Sequence, residues 1–292
     1  MPENNKKIGS SGQALLLVLL GMAVTLTIVM SVVSRSVTDI SISSENVEST
    51  RAFSAAEAGV EQSLIIGGNS SDSTVGYIAN VTDIAEGETT YNIGSLEAGE
   101  TATVWFVSHD TNGNLLPCGP DSPCYSGRVK VCWGDTPQSL TGTTPALEII
   151  VYYDTGSGSL GSPPNFGNVR VARFTADAFA TRRDQNRFDA EDRWWFCTIA
   201  DKEYQFSRTF DTSSFYRPLF AKLKLLYNTD KAHGIGVSAL DGTFPSQGIK
   251  IESVGSSGNA TRKVEALKPY KETLTMFEAG VFSSGGGDLD KD

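Results

Sequence analysis

The 292-residue chain carries a formal net charge of −10, from 24 basic and 34 acidic residues, and 39 % of it is hydrophobic. This length holds one large domain or two ordinary ones with a sizeable core. The hydrophobic share is too low for a polytopic membrane protein, and an acidic balance without a basic stripe argues against a nucleic-acid binder.

The first element is the apolar run Ala14 to Val33, which no charge interrupts. Twenty helical residues span about 30 Å, the thickness of a bilayer core. A cleaved secretory signal is the rival reading, but such signals have a shorter apolar region ending in a small-residue cleavage site. Here the run flows into Ser34-Arg35-Ser36 without one. Lys6 and Lys7 bias the N-terminus toward the cytoplasm, and Arg35 and Arg51 weaken that bias. Between residues 35 and 64 there is no proline, and no glycine before Gly59. Val37, Ile40, Val47, Phe53, Ala56, Val60 and Leu64 recur at helical spacing. One continuous helix of about 50 residues is therefore expected, from near Gln13 to the stop at Gly67-Gly68.

A short polar leader ending in glycine, an apolar run and then the segment Arg51-Ala52-Phe53-Ser54-Ala55-Ala56-Glu57-Ala58-Gly59-Val60-Glu61 resemble the N-terminal region of type IV pilin-like proteins. The closest likeness is to PilX-type minor pilins and the pseudopilins of type II secretion. The resemblance covers about the first 65 residues. It implies that a prepilin peptidase cuts after Gly12, with Gly9 as the fallback site. Cleavage would leave a leader of residues 1–12, a new N-terminus at Gln13 and a helix over 13–66 that serves first as anchor and then as filament stalk. Major pilins carry a glutamate at the fifth mature position, where this chain has Leu17. A carboxylate there is costly in lipid and is kept for pairing with a neighbour. Its absence points to a minor, initiating or tip subunit.

Beyond the helix, short runs bounded by Gly, Asn, Asp, Ser and Pro read as strands. They are Thr101–Ser108, Arg128–Trp133, Leu147–Tyr153, Val169–Thr175, Tyr204–Phe210, Leu219–Tyr227, Gly234–Leu240, Gly248–Val254 and Arg262–Leu267. The last two form a hairpin with a loose turn at Ser256–Asn259. The Gly/Ser/Pro segment 156–165 reads as a linker or loop between two β lobes, 67–155 and 166–283, and 284–292 reads as a flexible tail. The fold class expected is α+β: a long N-terminal helix packed on a mostly antiparallel β body.

Four cysteines, Cys118, Cys124, Cys132 and Cys197, follow the apolar run. Outside the cytoplasm they allow two disulfides in three connectivities. Cys118–Cys124 is favoured because Gly119-Pro120-Asp121-Ser122-Pro123 can turn tightly, and Cys132–Cys197 then follows; four free buried thiols is the other reading. A zinc site has little support, with no Cys-x-x-Cys pair and only His109 and His233.

Other motifs reduce to bland readings. Gly156-x-Gly158-x-x-Gly161 precedes Pro163-Pro164, which blocks the helix start a dinucleotide site needs. Asp110-Thr111-Asn112-Gly113-Asn114 has its glycine too early for a calcium loop and reads as a turn. Asp288, Asp290 and Asp292 sit on the tail. Trp194 and Trp195 alternate, so one is core and the other a candidate contact residue. Arg182, Arg183, Arg187 and Arg193 among Asp184, Asp189, Glu191 and Asp192 read as a salt-laced surface. No nucleophile–His–acid set is present, so no enzyme, cofactor or metal is expected. Asn69, Asn80 and Asn259 head glycosylation sequons, which matter in a host that glycosylates. The expected role is that of a structural filament subunit, with membrane lipid, other pilin-like subunits and prepilin peptidase as partners. The alternative is a membrane-anchored surface binding module or adhesin.

Overall fold

The computed structural model describes residues 11–137, 139–156, 160, 162, 164, 166–192 and 196–271. It has one long N-terminal helix and a body of mostly antiparallel sheets, an α+β fold. Helix α1 runs Ser11–Ile66 without a break. It stops where Gly67 adopts φ +69° and donates its N–H to Ser63 O, a left-handed terminus that glycine accommodates.

Fourteen strands follow: β1 Ser70–Asp72, β2 Tyr77–Asp83, β3 Thr90–Leu96, β4 Thr101–Trp105, β5 Arg128–Trp133, β6 Ala146–Asp154, β7 Val169–Ala176, β8 Cys197–Ile199, β9 Lys202–Tyr204, β10 Phe206–Asp211, β11 Arg217–Leu226, β12 His233–Ala239, β13 Gly248–Ser257 and β14 Ala260–Pro269. A short helix α2, Ala180–Asn186, lies between β7 and β8. The hairpin β13–β14 is tighter than the sequence suggests. β13 continues through Ser257, and only Gly258 and Asn259 remain for the turn.

The chain forms two compact units. The first comprises the described residues of Met1–Asn80 with Ile251–Ala266. Here the C-terminal half of α1 lies on the sheet β1-β2-β13-β14. The inward face of the helix keeps only Ala56 and Val60 of the stripe that periodicity suggests. Val37, Ile40, Val47, Phe53 and Leu64 are exposed, and the buried residues are Ala52, Ala55, Ala56, Gly59, Val60 and Ser63. The reason is close backbone approach. A β-carbon on Gly255 of β13 would overlap the Ala52 carbonyl and the Ala56 nitrogen, and one on Gly59 would overlap Ser253 Oγ and lie 2.7 Å from the Tyr77 ring. Only small residues fit this seam.

The second unit comprises Val81–Lys250 and the described residues that follow Leu267. Two four-stranded antiparallel sheets, ordered β10-β5-β12-β3 and β4-β11-β6-β7, enclose one core. Val131, Trp133, Phe206, Ile235 and Val237 face Leu147, Ile149, Val151, Leu223 and Leu225 across it. The Trp133 indole N–H donates to Pro145 O at 2.9 Å. Buried Gln247 takes the Trp105 N–H at 2.7 Å and donates to its carbonyl at 3.0 Å, which satisfies the end of edge strand β4. Every four-stranded sheet mixes strands from both sides of segment 156–165. The lobes 67–155 and 166–283 expected from that Gly/Ser/Pro segment are therefore not the compact units, because strand pairing here is non-local. Most of 156–165 lies outside the described residues, as does the tail 284–292.

Both cystines lie in this unit: Cys118 bonds Cys124, and Cys132 bonds Cys197. The second ties hairpin β8–β9 to β5, with Ile199 and Tyr204 packed around it. Closing loops with separations of 6 and 65 residues is worth about 2 and about 4 kcal/mol respectively in a chain-entropy estimate.

The seam makes a sharp test. Gly255→Val should destabilise the first unit by about 2–4 kcal/mol, since overpacked backbone has nowhere to relax. Gly21→Ala, with nothing within 4 Å of the added carbon, should not destabilise the chain and by helix propensity adds at most about 1 kcal/mol. Denaturant unfolding of the detergent-solubilised chain, with hydrogen exchange on β13, measures both.

Candidate functional site

The feature with the largest unmet physical demand is the first half of α1. Leu15, Leu16 and Leu17 each expose 66 % of their surface, and fourteen large apolar side chains between Leu15 and Val33 are exposed. At about 1.5–3 kcal/mol for each side chain fully removed from water, they represent on the order of 20–40 kcal/mol of uncovered apolar surface. The helix is long and apolar enough to cross a membrane. Both threonines of the apolar run are already satisfied: Thr25 Oγ1 donates to Met22 O at 2.9 Å and Thr27 Oγ1 to Val24 O at 2.8 Å. With the helical backbone bonded internally, the run leaves water at little polar cost.

Past Val33 the helix continues free of the body. Residues 34–47 cover about 21 Å, and Val37, Ile40, Ile42 and Val47 stay exposed among Ser, Thr, Arg35 and Asp39. Contact with the sheet begins near Glu48, whose carboxylate accepts the Asn259 N–H at 3.1 Å, and Ser49, whose hydroxyl accepts from Arg262 Nε at 2.9 Å. The segment Arg51–Glu61 then splits its residues. Ala52, Ala55, Ala56, Gly59 and Val60 face the sheet, while Arg51, Phe53, Ser54, Glu57 and Glu61 face outward. The motif read from the sequence is thus a two-sided element, small inside and acidic outside.

α1 begins at Ser11, so the Gly12–Gln13 bond lies in its first turn, and Leu17 lies one turn further. Gly9 lies outside the described residues. So do Arg193, Trp194 and Trp195; their neighbour Phe196 is 57 % exposed.

Several sequence expectations resolve in the second unit. The Asp110 carboxylate is consumed locally: Oδ1 accepts the N–H groups of Asn112 at 2.9 Å and Asn114 at 2.8 Å, and Oδ2 accepts the Asn114 amide at 2.9 Å. These bonds close a turn bridged by His109 and Leu115. Among the described residues no group of three or more His, Cys, Asp or Glu is placed to hold a metal ion. The arginine-rich segment is not wholly a surface feature. Arg182 is buried, donates from Nε and Nη2 to Asp177 at 2.7 and 2.8 Å and from Nη1 and Nη2 to Gly142 O and Thr144 O at 2.7 Å, and stacks over the Tyr227 ring at 4.0 Å. That guanidinium, with four of its five N–H groups bonded, fixes α2 against the loop before β6. Arg208, Asp189 and Asp192 form the more exposed part of the network.

Sequence reading missed that Ser253 and Gly255 dock α1, and that the turn expected at Ser256–Asn259 bonds Glu48 of the helix. A glycine inside a strand is the available signal of close backbone approach, but Gly255 sits among serines that resemble a turn.

His109 stacks on Tyr270 at 3.8 Å between ring centroids and meets Trp105 edge-on at 4.4 Å. Burial pushes its pKa down to about 4, with the Asp110 carboxylate only partly offsetting this. The unfolded imidazole, near 6.5, binds a proton that the folded one refuses. Stability is therefore complete above about pH 6.5 and falls as pH drops toward 4. His109→Phe should flatten that limb of the curve, read by urea midpoints between pH 7 and 4.

Comparison with protein-family models, with curated proteins and with solved structures finds no match.

Proposed function

We propose that this chain is a membrane-anchored structural subunit of a type IV pilus or type II secretion-like filament, a minor pilin or pseudopilin acting at initiation or at the tip. The observation that carries this reading is one unbroken helix with two environments: an uncovered apolar half, Ala14 to Val33, and a half seated on an antiparallel sheet through Ala52, Ala56 and Gly59. Lipid covers the first half in storage, and apolar helices of neighbouring pilin-like subunits cover it in a filament; either removes the same surface from water. The mechanism is assembly, not catalysis. Leu17, in the fifth position counted from Gln13, offers no carboxylate for a neighbour's N-terminus, which suits a subunit that starts or ends a filament. The N-terminus is cytoplasmic and the β body extracytoplasmic in this reading, a placement in which the two cystines form readily.

A second reading, a membrane-anchored surface binding module or adhesin not built into a filament, draws on the exposed aromatics Phe196 and Tyr216. Fractionation separates the two: recovery with sheared filaments supports the first, and retention in washed membranes alone supports the second.

The decisive measurement is N-terminal sequencing after expression with and without a prepilin peptidase. The expected result is Gln13 as the first residue only when the peptidase is present, and Gly12→Ala should reduce cleavage at least tenfold. Met1 or Pro2 in both samples sinks the proposal.

A further inference from the structure

The sequence contains three Asn-x-Ser/Thr triplets: Asn69-Ser70-Ser71, Asn80-Val81-Thr82 and Asn259-Ala260-Thr261. All three lie on or beside one sheet, β1-β2-β13-β14, and none on the sandwich. Asn69 immediately precedes β1, Asn80 is within β2, and Asn259 is in the two-residue turn between β13 and β14. The three asparagines and the three hydroxyl residues two places on are all exposed. Only Asn80 sits in a strand, where a random register would turn its side chain inward about as often as outward. Here the alternation along β2 buries Tyr77 and Ala79 against the helix and sends Ile78, Asn80 and Thr82 to the opposite, open face.

That open face is incompletely covered. Ile78 is 61 % exposed and Val254 is 36 % exposed, both on the side away from α1. A sugar chain rooted at Asn80 would lie beside them and shield this apolar surface with its own C–H faces. At Asn259 the backbone N–H is held by Glu48 while the side chain stays exposed. Chains at Asn69 and Asn259 mark opposite ends of the docked part of α1, and neither falls on the seam formed by Gly59 and Gly255.

We propose that Asn69, Asn80 and Asn259 are acceptors for N-linked oligosaccharide on the extracytoplasmic side. The co-reactant is an oligosaccharide carried on a polyprenyl phosphate or diphosphate. The asparagine amide nitrogen attacks C1 of the first sugar, the N–C1 bond forms, the C1–O bond to phosphate breaks, and the lipid phosphate leaves with the electron pair. The amide proton passes to a transferase base, and no redox partner is needed. The hydroxyl of Ser71, Thr82 or Thr261 completes the recognised triplet. Asn80 is within a hydrogen-bonded strand, so its transfer precedes pairing of β2; Asn69 and Asn259, at turns, can accept after folding. The proposal rests on the reading that the body is extracytoplasmic.

The test is intact mass and glycopeptide mapping of the full-length chain isolated from the membranes of its source cells. The expected result is three glycan increments above the bare polypeptide mass, counted from the N-terminus that sequencing finds. Asn69→Gln, Asn80→Gln and Asn259→Gln should each remove one. Ser71→Ala, Thr82→Ala and Thr261→Ala should remove the same increments with the asparagine still in place, which separates loss of modification from loss of the side chain. A bare polypeptide mass with Cys132–Cys197 oxidised overturns the glycan proposal and leaves the location intact. A bare mass with alkylatable Cys132 and Cys197 overturns the location and the glycan proposal with it.

Discussion

The first unit depends on two backbones that nearly touch. Gly255 of β13 meets Ala52 and Ala56 with no room for a β-carbon, and Gly59 meets Ser253 and Tyr77 under the same restriction. Closeness increases the number of dispersion contacts per residue, and it lets a helix with few large inward side chains hold firmly to a sheet. It also fixes which face of α1 is inward. Once Ala52, Ala56 and Gly59 point at the sheet, Glu57 and Glu61 must point away, and the apolar half leaves the sheet as part of the same unbroken helix.

The second unit solves a different problem by different means. Its sandwich core is made of large side chains, with Trp133, Phe206, Leu147 and Leu225 among them, and it shares one cystine with the small hairpin β8–β9. Two buried polar groups there are matched in detail. Arg182 finds four acceptor bonds and an aromatic face, and Gln247 closes the end of an edge strand. Unmatched groups of this kind would cost several kcal/mol. Their satisfaction explains why a segment dense in charge can contribute to a core.

Much of the architecture is legible in the residues themselves. An uninterrupted apolar run of twenty residues, followed by thirty without proline, has one low-energy solution, a long helix. Arg128–Trp133 alternates as a half-buried strand and is β5 to the residue. The short strand β1, the polar β2 with its Asn and Asp, and β3 interrupted by Gly94 were not legible, because their pairing comes from partners far along the chain rather than from their own propensity. Helix α2 is equally obscure: seven residues rich in charge carry no periodic signal, and tertiary bonds to Arg182 hold it.

By itself the sequence determined the anchor-length helix, the dominance of β structure after it, and the short loop that lets Cys118 reach Cys124, since each follows from local length, period or reach. Only the tertiary structure decided which stripe of α1 faces the sheet, because the choice between Phe53 and Ala56 depends on Gly255 two hundred residues away. It alone decided that strands from both sides of 156–165 share every four-stranded sheet, since linker composition says nothing about non-local pairing. And it alone decided that Arg182 is buried, because the oxygens that accept its protons come from Asp177, Gly142 and Thr144, which no spacing rule connects.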